Sequence, residues 1–328
     1  MHLYMRFDAK YGFFRNLAIH TIKNFKNITK NSAKQDQMFK HSWFQKNLKI
    51  YLDVGRSKTS STMPSPLAVN FSKKSVVVIT GASKGIGQTI ATEISSRLNQ
   101  NSILVLLARD NNGLDETKKR IAEIDKSLTV LTYSLDLSKP DQESYNSIFN
   151  EILETIDTKD IEFGYIFHNA GHIGTLKETT ELTDLAQWRQ YYDLNLFSAV
   201  LLNSVFIKKL RPIAPQLVVV NITSLVGRMP FANLAMYGSG KASREIFFKV
   251  LAVEQPKVTV LNYSPGPVLT DMFNTICDSA EDPELKKNFQ ETREKSVLTT
   301  DQTVTKLLTI LEQGDYKSGD TIDYFDRI

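Results

Sequence analysis

The run Val76-Val77-Val78-Ile79-Thr80 passes without a break into Gly81-Ala82-Ser83-Lys84-Gly85-Ile86-Gly87 and then into a helical pattern, a succession that few folds accept. An apolar run of this length bounded by a turn reads as a buried strand. Gly81, Gly85 and Gly87 allow the backbone to come close to a phosphate, and the N-terminus of the next helix attracts its negative charge. Glycines alone are weak evidence, because any tight turn uses them. Placed between an apolar strand and a helix, they point to a dinucleotide-binding turn.

Further apolar runs follow at intervals separated by amphipathic segments: Ile103 to Ala108, Thr129 to Tyr133, Tyr165 to His168, Leu217 to Ile222, Val258 to Tyr263 and a short one near Thr321. Strands alternating with helices build a parallel sheet covered on both faces. The expectation is α/β: a single Rossmann-type, doubly wound domain, with a mostly parallel seven-stranded sheet flanked by helices. Leu185, Trp188, Tyr192, Leu196 and Val200 recur at spacings of three and four, which predicts one long helix with one apolar stripe. The next helix is expected to start after Asn233 and to end before Pro256.

A stretch rich in Ser, Thr and Pro from Arg56 to Asn70 reads as a linker. The chain therefore divides into a basic, disordered extension over residues 1–70 and a reductase-like domain over 71–328. The extension holds 12 of the 40 basic residues and 3 of the 36 acidic ones. Three readings are compatible with it: an extension without function ahead of a start at Met63, a transit peptide, or a segment that contacts nucleic acid or an anionic membrane. No apolar run reaches the roughly 18 residues that a membrane-crossing helix needs. Cys277 is the single cysteine, so an intrachain disulfide is excluded and a reducing, cytoplasmic location is expected.

The chemistry concentrates in the C-terminal half. Tyr237 and Lys241 stand four apart on an expected helix, so they share a face, and Ser224 lies thirteen residues before the tyrosine. An ammonium beside a phenol favours phenolate and lowers its pKa from the ordinary value of about 10. Ser224 is placed to hold a carbonyl oxygen while Tyr237 protonates it. Arg109, at the end of the second run, favours a cofactor carrying a 2′-phosphate, NADPH, with Lys84 as a second cation. Asp110 is the counter-argument and reads as a solvated loop acid. Asp136-Leu137-Ser138 suits an adenine amine or a helix cap, and Asn169-Ala170-Gly171 brings small residues to a strand end. His168 and His172 flank that turn without a third ligand nearby in sequence, which argues against a metal.

These spaced motifs together resemble the short-chain dehydrogenase/reductase superfamily, from about Ser75 to the C-terminus. The resemblance implies that Asn195, Ser224, Tyr237 and Lys241 are catalytic. Asn195 would retain a proton-relaying water, and Lys241 would hold the nicotinamide ribose. It further implies cofactor contact by the turn from Gly81 through Ser83, Lys84, Gly85, Ile86 and Gly87, by Asn169, and by Pro265, Gly266 and Thr270. Val220 to Leu225, Met236 to Ala242, Val260 to Pro267 and Tyr316 to Asp320 are similar to a narrower group within it, the reductases of pterin side-chain ketones. That likeness implies a pterin anchored by Asp323, with Leu225, Phe231 and Met272 as pocket-wall candidates beside Ser224 and Tyr237. It also implies a homodimer. The rival enzyme reading is a reductase of benzil-like vicinal diketones. A rival of another class, a non-catalytic NADPH sensor, is disfavoured because all four catalytic positions are present.

Overall fold

Apolar runs with β-branched residues become strands when both of their faces are covered, and here every residue of β1 (Ser75–Thr80), β2 (Ile103–Ala108) and β4 (Phe163–His168) is buried. The computed structural model of the chain describes residues 67–327. Most of the N-terminal extension, residues 1–66, lies outside the described residues, as does Ile328. Four further strands complete the sheet: β3 (Thr129–Ser134), β5 (Gln216–Ile222), β6 (Val258–Ser264) and β7 (Thr321–Asp323). Their order is β3-β2-β1-β4-β5-β6-β7, and all the pairings are parallel. The expected sheet is thus present, and it is parallel throughout.

The connecting helices are α1 (Gly85–Ser95), α2 (Asn111–Ile124), α3 (Gln142–Thr155), α4 (Leu185–Tyr192), α5 (Ser198–Leu210), α6 (Ala235–Glu254), α7 (Asp271–Ser279), α8 (Pro283–Lys295) and α9 (Thr300–Gln313). Alternate strand residues feed two apolar layers. Val77, Ile79, Leu104 and Leu106 pack with Ile90, Ile94, Leu307 and Leu311 on one face. Val76, Val78, Val105 and Ile166 pack with Phe149, Phe206, Leu210 and Phe248 on the other. The order reverses direction at β1 and β4, which opens a crevice at the carboxyl ends of these two strands.

Residues 67–70, assigned to the linker by composition, already belong to the fold. Val69 and Phe71 are buried, and the Val69 N–H donates to the Leu311 carbonyl at 3.0 Å. Gly314 ends α9 at φ +67, and a Cβ there would strike the backbone of Ala68.

The expected long helix between β4 and β5 is built differently. A π-turn over Asp193–Phe197 separates α4 from α5. Its extra residue rotates the helix face, so Tyr191, Asn195, Ser198, Ala199 and Leu202 turn inward. The stripe read from sequence does not: Leu185 is 59% exposed. Helix α6 follows the sequence closely, starting one residue after Leu234 and ending before Pro256.

Phe206 of α5 is fully buried and meets Phe149 of α3 edge to face, with ring centroids 6.4 Å apart. Phe206→Ala is expected to cost about 3–5 kcal/mol of stability in urea denaturation, the usual loss for truncating a buried phenylalanine. A loss below about 1 kcal/mol would contradict this packing.

Candidate active site

Thr80, at the end of β1, starts the site. Its hydroxyl donates to Phe167 O at 3.2 Å and accepts from the N–H groups of Asn169 and Ala170, both at 3.0 Å. The Asn169 amide donates in turn to the carbonyls of Thr80 (3.0 Å) and Gly81 (3.3 Å). The predicted cofactor residue Asn169 therefore has its amide occupied in tying the glycine turn to the end of β4. Ala170 and Gly171 continue from it along the crevice.

The turn has the shape that its sequence implied. Gly81 sits at φ +68, and a Cβ there would lie 2.9 Å from the Asn169 amide; a Cβ on Gly87 would strike the Gly81 carbonyl. No side chain caps the start of α1, and no acid stands in its first turn. Ile86 packs partly buried on the core behind it, and Ser83 O accepts from Gln88. Backbone N–H groups at an uncapped helix start beside a cradle that only glycine permits fit a dinucleotide phosphate. Across the turn, Thr270 caps α7, and its methyl lies 3.7 Å from where a Cβ of Gly85 would stand. Gly266 takes φ +74 between Pro265 and Pro267.

Three polar residues have partners here that their sequence context does not show. Lys84, expected as a second phosphate cation, is paired with Asp271 at 2.5 Å, both side chains being largely exposed. Asp110 is not a free loop acid: it caps α2, its carboxylate accepting from Gly113 N at 3.2 Å. Asp136 accepts from Ser138 Oγ at 2.7 Å and from its N–H at 3.1 Å, and these bonds hold its carboxyl below the usual range. Arg109 is exposed at the end of β2, and its charge acts on Asp136 and His172. Leu137 is buried in the sheet layer.

Helix α6 carries Tyr237 and Lys241 inward. Tyr237 is 8% exposed and shares an apolar cluster with Ile173, Leu176, Leu234 and the partly buried Met272. Ser224 beside the phenol acts to lower its pKa, and the Ser224 Oγ accepts from Val226 N at 3.3 Å. One turn on, Lys241 Nζ donates to Ile222 O at 2.8 Å and stands 5.6 Å from the centre of the Tyr237 ring. The expected lysine-driven fall in the tyrosine pKa does not appear. Burial dominates and pushes the phenol up to about 12, against smaller lowering by Ser224 and by the charge of Arg244. Burial, with help from Arg244, also holds Lys241 well below its ordinary value.

Arg244 was missed from the sequence, where it looks like one more helix-surface arginine. It is 1% exposed. Its guanidinium donates to His168 O (2.6 Å), Ala170 O (2.9 Å) and Asn221 Oδ1 (3.1 Å), joining α6 to the ends of β4 and β5. The one available signal was spacing: Lys241 and Arg244 are three apart and share a helix face.

Asn195 lies in the π-turn. Its Oδ1 accepts from His172 N, and its Nδ2 donates to Tyr191 O, both at 2.9 Å. The side chain thus positions the Gly171-His172 turn. Tyr191 in turn donates to the Tyr237 carbonyl at 3.2 Å and lies where a Cβ of Gly240 would be.

Asp323 sits on β7 opposite Ser264 of β6, not at a frayed end. Its Oδ2 accepts from Ser264 Oγ at 2.6 Å and its Oδ1 from Phe325 N at 3.1 Å. Leu225 and Phe231 are exposed, on the loop between Ser224 and α6. His168 stacks on Phe248 and is fully buried, with Asn203 beside its Nε2; among the described residues no three His, Cys, Asp or Glu side chains are grouped as metal ligands would be.

Residues 75–281 match the short chain dehydrogenase family. The chain is 32% identical to sepiapterin reductase of Bos taurus over 77% of its own length and 96% of that protein's. It is 29% identical to a benzil reductase ((S)-benzoin forming) of Bacillus subtilis over 72% of its length and 93% of that protein's. Among solved structures, the KRED1-Pglu enzyme superposes with a TM-score of 0.66 at 25% identity, covering 76% of this chain and all of that one. A Shigella flexneri short chain dehydrogenase complexed with NADP superposes at 0.64 and 23% identity, over 78% and 98% of the two chains. The chain belongs to the short-chain dehydrogenase/reductase family and is an oxidoreductase of that family.

Burial and the nearby Arg244 depress the His168 pKa to about 3, so the folded protein resists a proton that the unfolded chain accepts near 6.5. Its contribution is complete above the unfolded value and is lost as pH falls below it. Between pH 7 and pH 5 the chain is expected to lose about 2 kcal/mol from this residue. Urea titrations at the two pH values should show that part of the loss removed in His168→Gln, and an identical pH dependence in both proteins would contradict the assignment.

Proposed function

We propose that the chain reduces ketones with NADPH, its substrate being the side-chain carbonyl of sepiapterin or of a related pyruvoyl pterin in tetrahydrobiopterin synthesis. The observation that carries this reading is the presence, at the carboxyl edge of one sheet, of the buried Tyr237 and Lys241 with the half-buried Ser224 and of a carboxylate, Asp323, held by Ser264 at the end of β7. The turn from Gly81 to Gly87 would hold the dinucleotide phosphates, with Thr270 opposite. Arg109 is the exposed cation for a 2′-phosphate. Asp110, the acid that a 2′-hydroxyl would call for, is already occupied as the cap of α2.

When bound, the nicotinamide supplies a hydride to the carbonyl carbon. The chain supplies the proton and the geometry. Ser224 steadies the carbonyl oxygen by a hydrogen bond, and Tyr237 gives it a proton. Burial raises the phenol's pKa and so favours the protonated form that can donate. Lys241, fixed through Ile222 O, stands beside the ring within one helical turn of Tyr237. In its protonated form it favours the phenolate left after transfer.

Substrate orientation falls to Asp323. A pterin presents an amino group and a ring N–H side by side, and a carboxylate accepts both in a charge-assisted pair. Ser264 holds the carboxylate from one side, which limits its rotation. Fixing the ring there makes proton transfer at the side-chain ketone effectively intramolecular. A benzil-like diketone lacks the N–H edge, so it shares the chemistry without the anchor. The similarity to benzil reductases supports that second reading.

A homodimer and a cytoplasmic location belong to the same proposal. Support for the dimer is an apolar row on α6, where Ile246, Val250 and Val253 are all exposed. The single, buried Cys277 suits a reducing compartment.

Asp323→Ala separates the two substrate readings. Its kcat/KM for sepiapterin is expected to fall about tenfold to a hundredfold further than its kcat/KM for benzil, the range for losing hydrogen bonds to a charged group. Equal losses with both substrates would remove the anchor.

A further inference from the structure

The loop that follows Ser224 brings a cation to the same carboxylate. Gly227 is pressed against α6: a Cβ there would lie 3.0 Å from Ala242 N and 3.1 Å from the Lys241 carbonyl carbon. The next residue, Arg228, therefore stands beside the helix one turn beyond Lys241. Its Nε is 3.8 Å from Glu245 Oε2, and its NH2 group is 3.7 Å from Asp323 Oδ2.

Glu245 is a fixed point. It is 4% exposed and accepts from Thr223 Oγ1 (3.1 Å), Thr321 Oγ1 (2.8 Å) and Lys249 Nζ (2.6 Å). Asp323 is fixed by Ser264 and Phe325. Arg228 is thus held by charge between two immobile carboxylates. Both contacts are longer than a hydrogen bond, so they position the guanidinium without saturating its five N–H donors. A third of its side chain remains accessible.

A carboxylate next to a guanidinium with donors to spare is a matched receptor for one chemical edge. The carboxylate accepts from N–H groups, and the guanidinium donates to a carbonyl oxygen adjoining them. Cyclic amides with a neighbouring amino group carry that edge, and the pterin ring is one of them. A simple diketone is not.

We propose that Arg228 is a specificity-determining residue, which donates to the ring carbonyl oxygen of a substrate whose adjacent N–H groups are held by Asp323. This rests on the pterin reading above and deepens it. Asp323 alone recognises any pair of N–H donors. Arg228 adds a demand for an oxygen beside them, and it repels a substrate that places a donor there.

The test is equilibrium binding to the full chain saturated with NADP, followed by quenching of pteridine fluorescence. The two probes are unsubstituted pterin, which has the carbonyl oxygen, and 2,4-diaminopteridine, which has an amino group in its place and no hydrogen on the adjoining ring nitrogen. The wild-type protein is expected to bind pterin at least about tenfold more tightly, the scale of a hydrogen bond to a charged group. Arg228→Met should lower the preference for pterin about tenfold, the remainder coming from Asp323, and Arg228→Lys should restore part of it. Unchanged NADP affinity identifies variants that are folded, and the lysine variant supplies the comparison if the methionine variant is not. A preference preserved in Arg228→Met overturns the proposal while leaving the pterin reading intact. If neither probe binds the wild-type protein although it reduces benzil, the pterin reading falls and the role of Arg228 falls with it.

Discussion

Two basic side chains buried on one face of α6, with no carboxylate ion-paired to either among the described residues, hold the site together. Lys241 reaches Ile222 O; Arg244 reaches His168 O, Ala170 O and Asn221 Oδ1. Removing a charge from water is expensive unless polar groups replace the water, and here carbonyl and amide oxygens at strand ends do so. Those oxygens sit on the carboxyl ends of β4 and β5, where the parallel sheet opens its crevice. The helix is consequently locked to the sheet at the crevice. Burial still holds Arg244 down to about 10, high enough to stay charged at neutral pH.

From that lock the other groups follow. Tyr237 precedes Lys241 by one turn, so its phenol meets Ser224 at the end of β5 and the apolar cluster behind it. Tyr191 and Asn195, turned inward by the π-turn, brace the same region: one bonds the Tyr237 carbonyl, the other the His172 N–H. On the far side of the crevice, Thr80 and Asn169 tie the glycine turn to β4. The Tyr237 phenol and the glycine turn are thereby both held at the carboxyl ends of the central strands.

Much of this was legible in the sequence because it rests on local rules. Period and apolar content gave the strands, and glycines between strand and helix gave the turn. The four-residue spacing put Tyr237 and Lys241 on one face. What the sequence hid depends on three-dimensional partners. Arg244 has the local context of a surface residue, and only the carbonyls of distant strands make it buried. Asp110 reads as a loop acid until α2 begins immediately after it. Lys84 meets an acid 187 positions away. The π-turn leaves the chain's apolar spacing undisturbed, so the stripe through Leu185 pointed to the wrong face. Burial also reversed the expected direction of the tyrosine shift, since a nearby charge acts less strongly on a phenol than the loss of its solvent.

The account turns on proton donation by a buried phenol. Single-turnover reduction of one ketone by the NADPH-loaded full chain, compared between wild type and Tyr237→Phe, measures that donation directly. Removing the hydroxyl should slow the step by about a hundredfold or more, the contribution expected of a positioned acid, with NADPH affinity unchanged. A variant that reduces the ketone within threefold of the wild-type rate would contradict the assignment of Tyr237 as the donor.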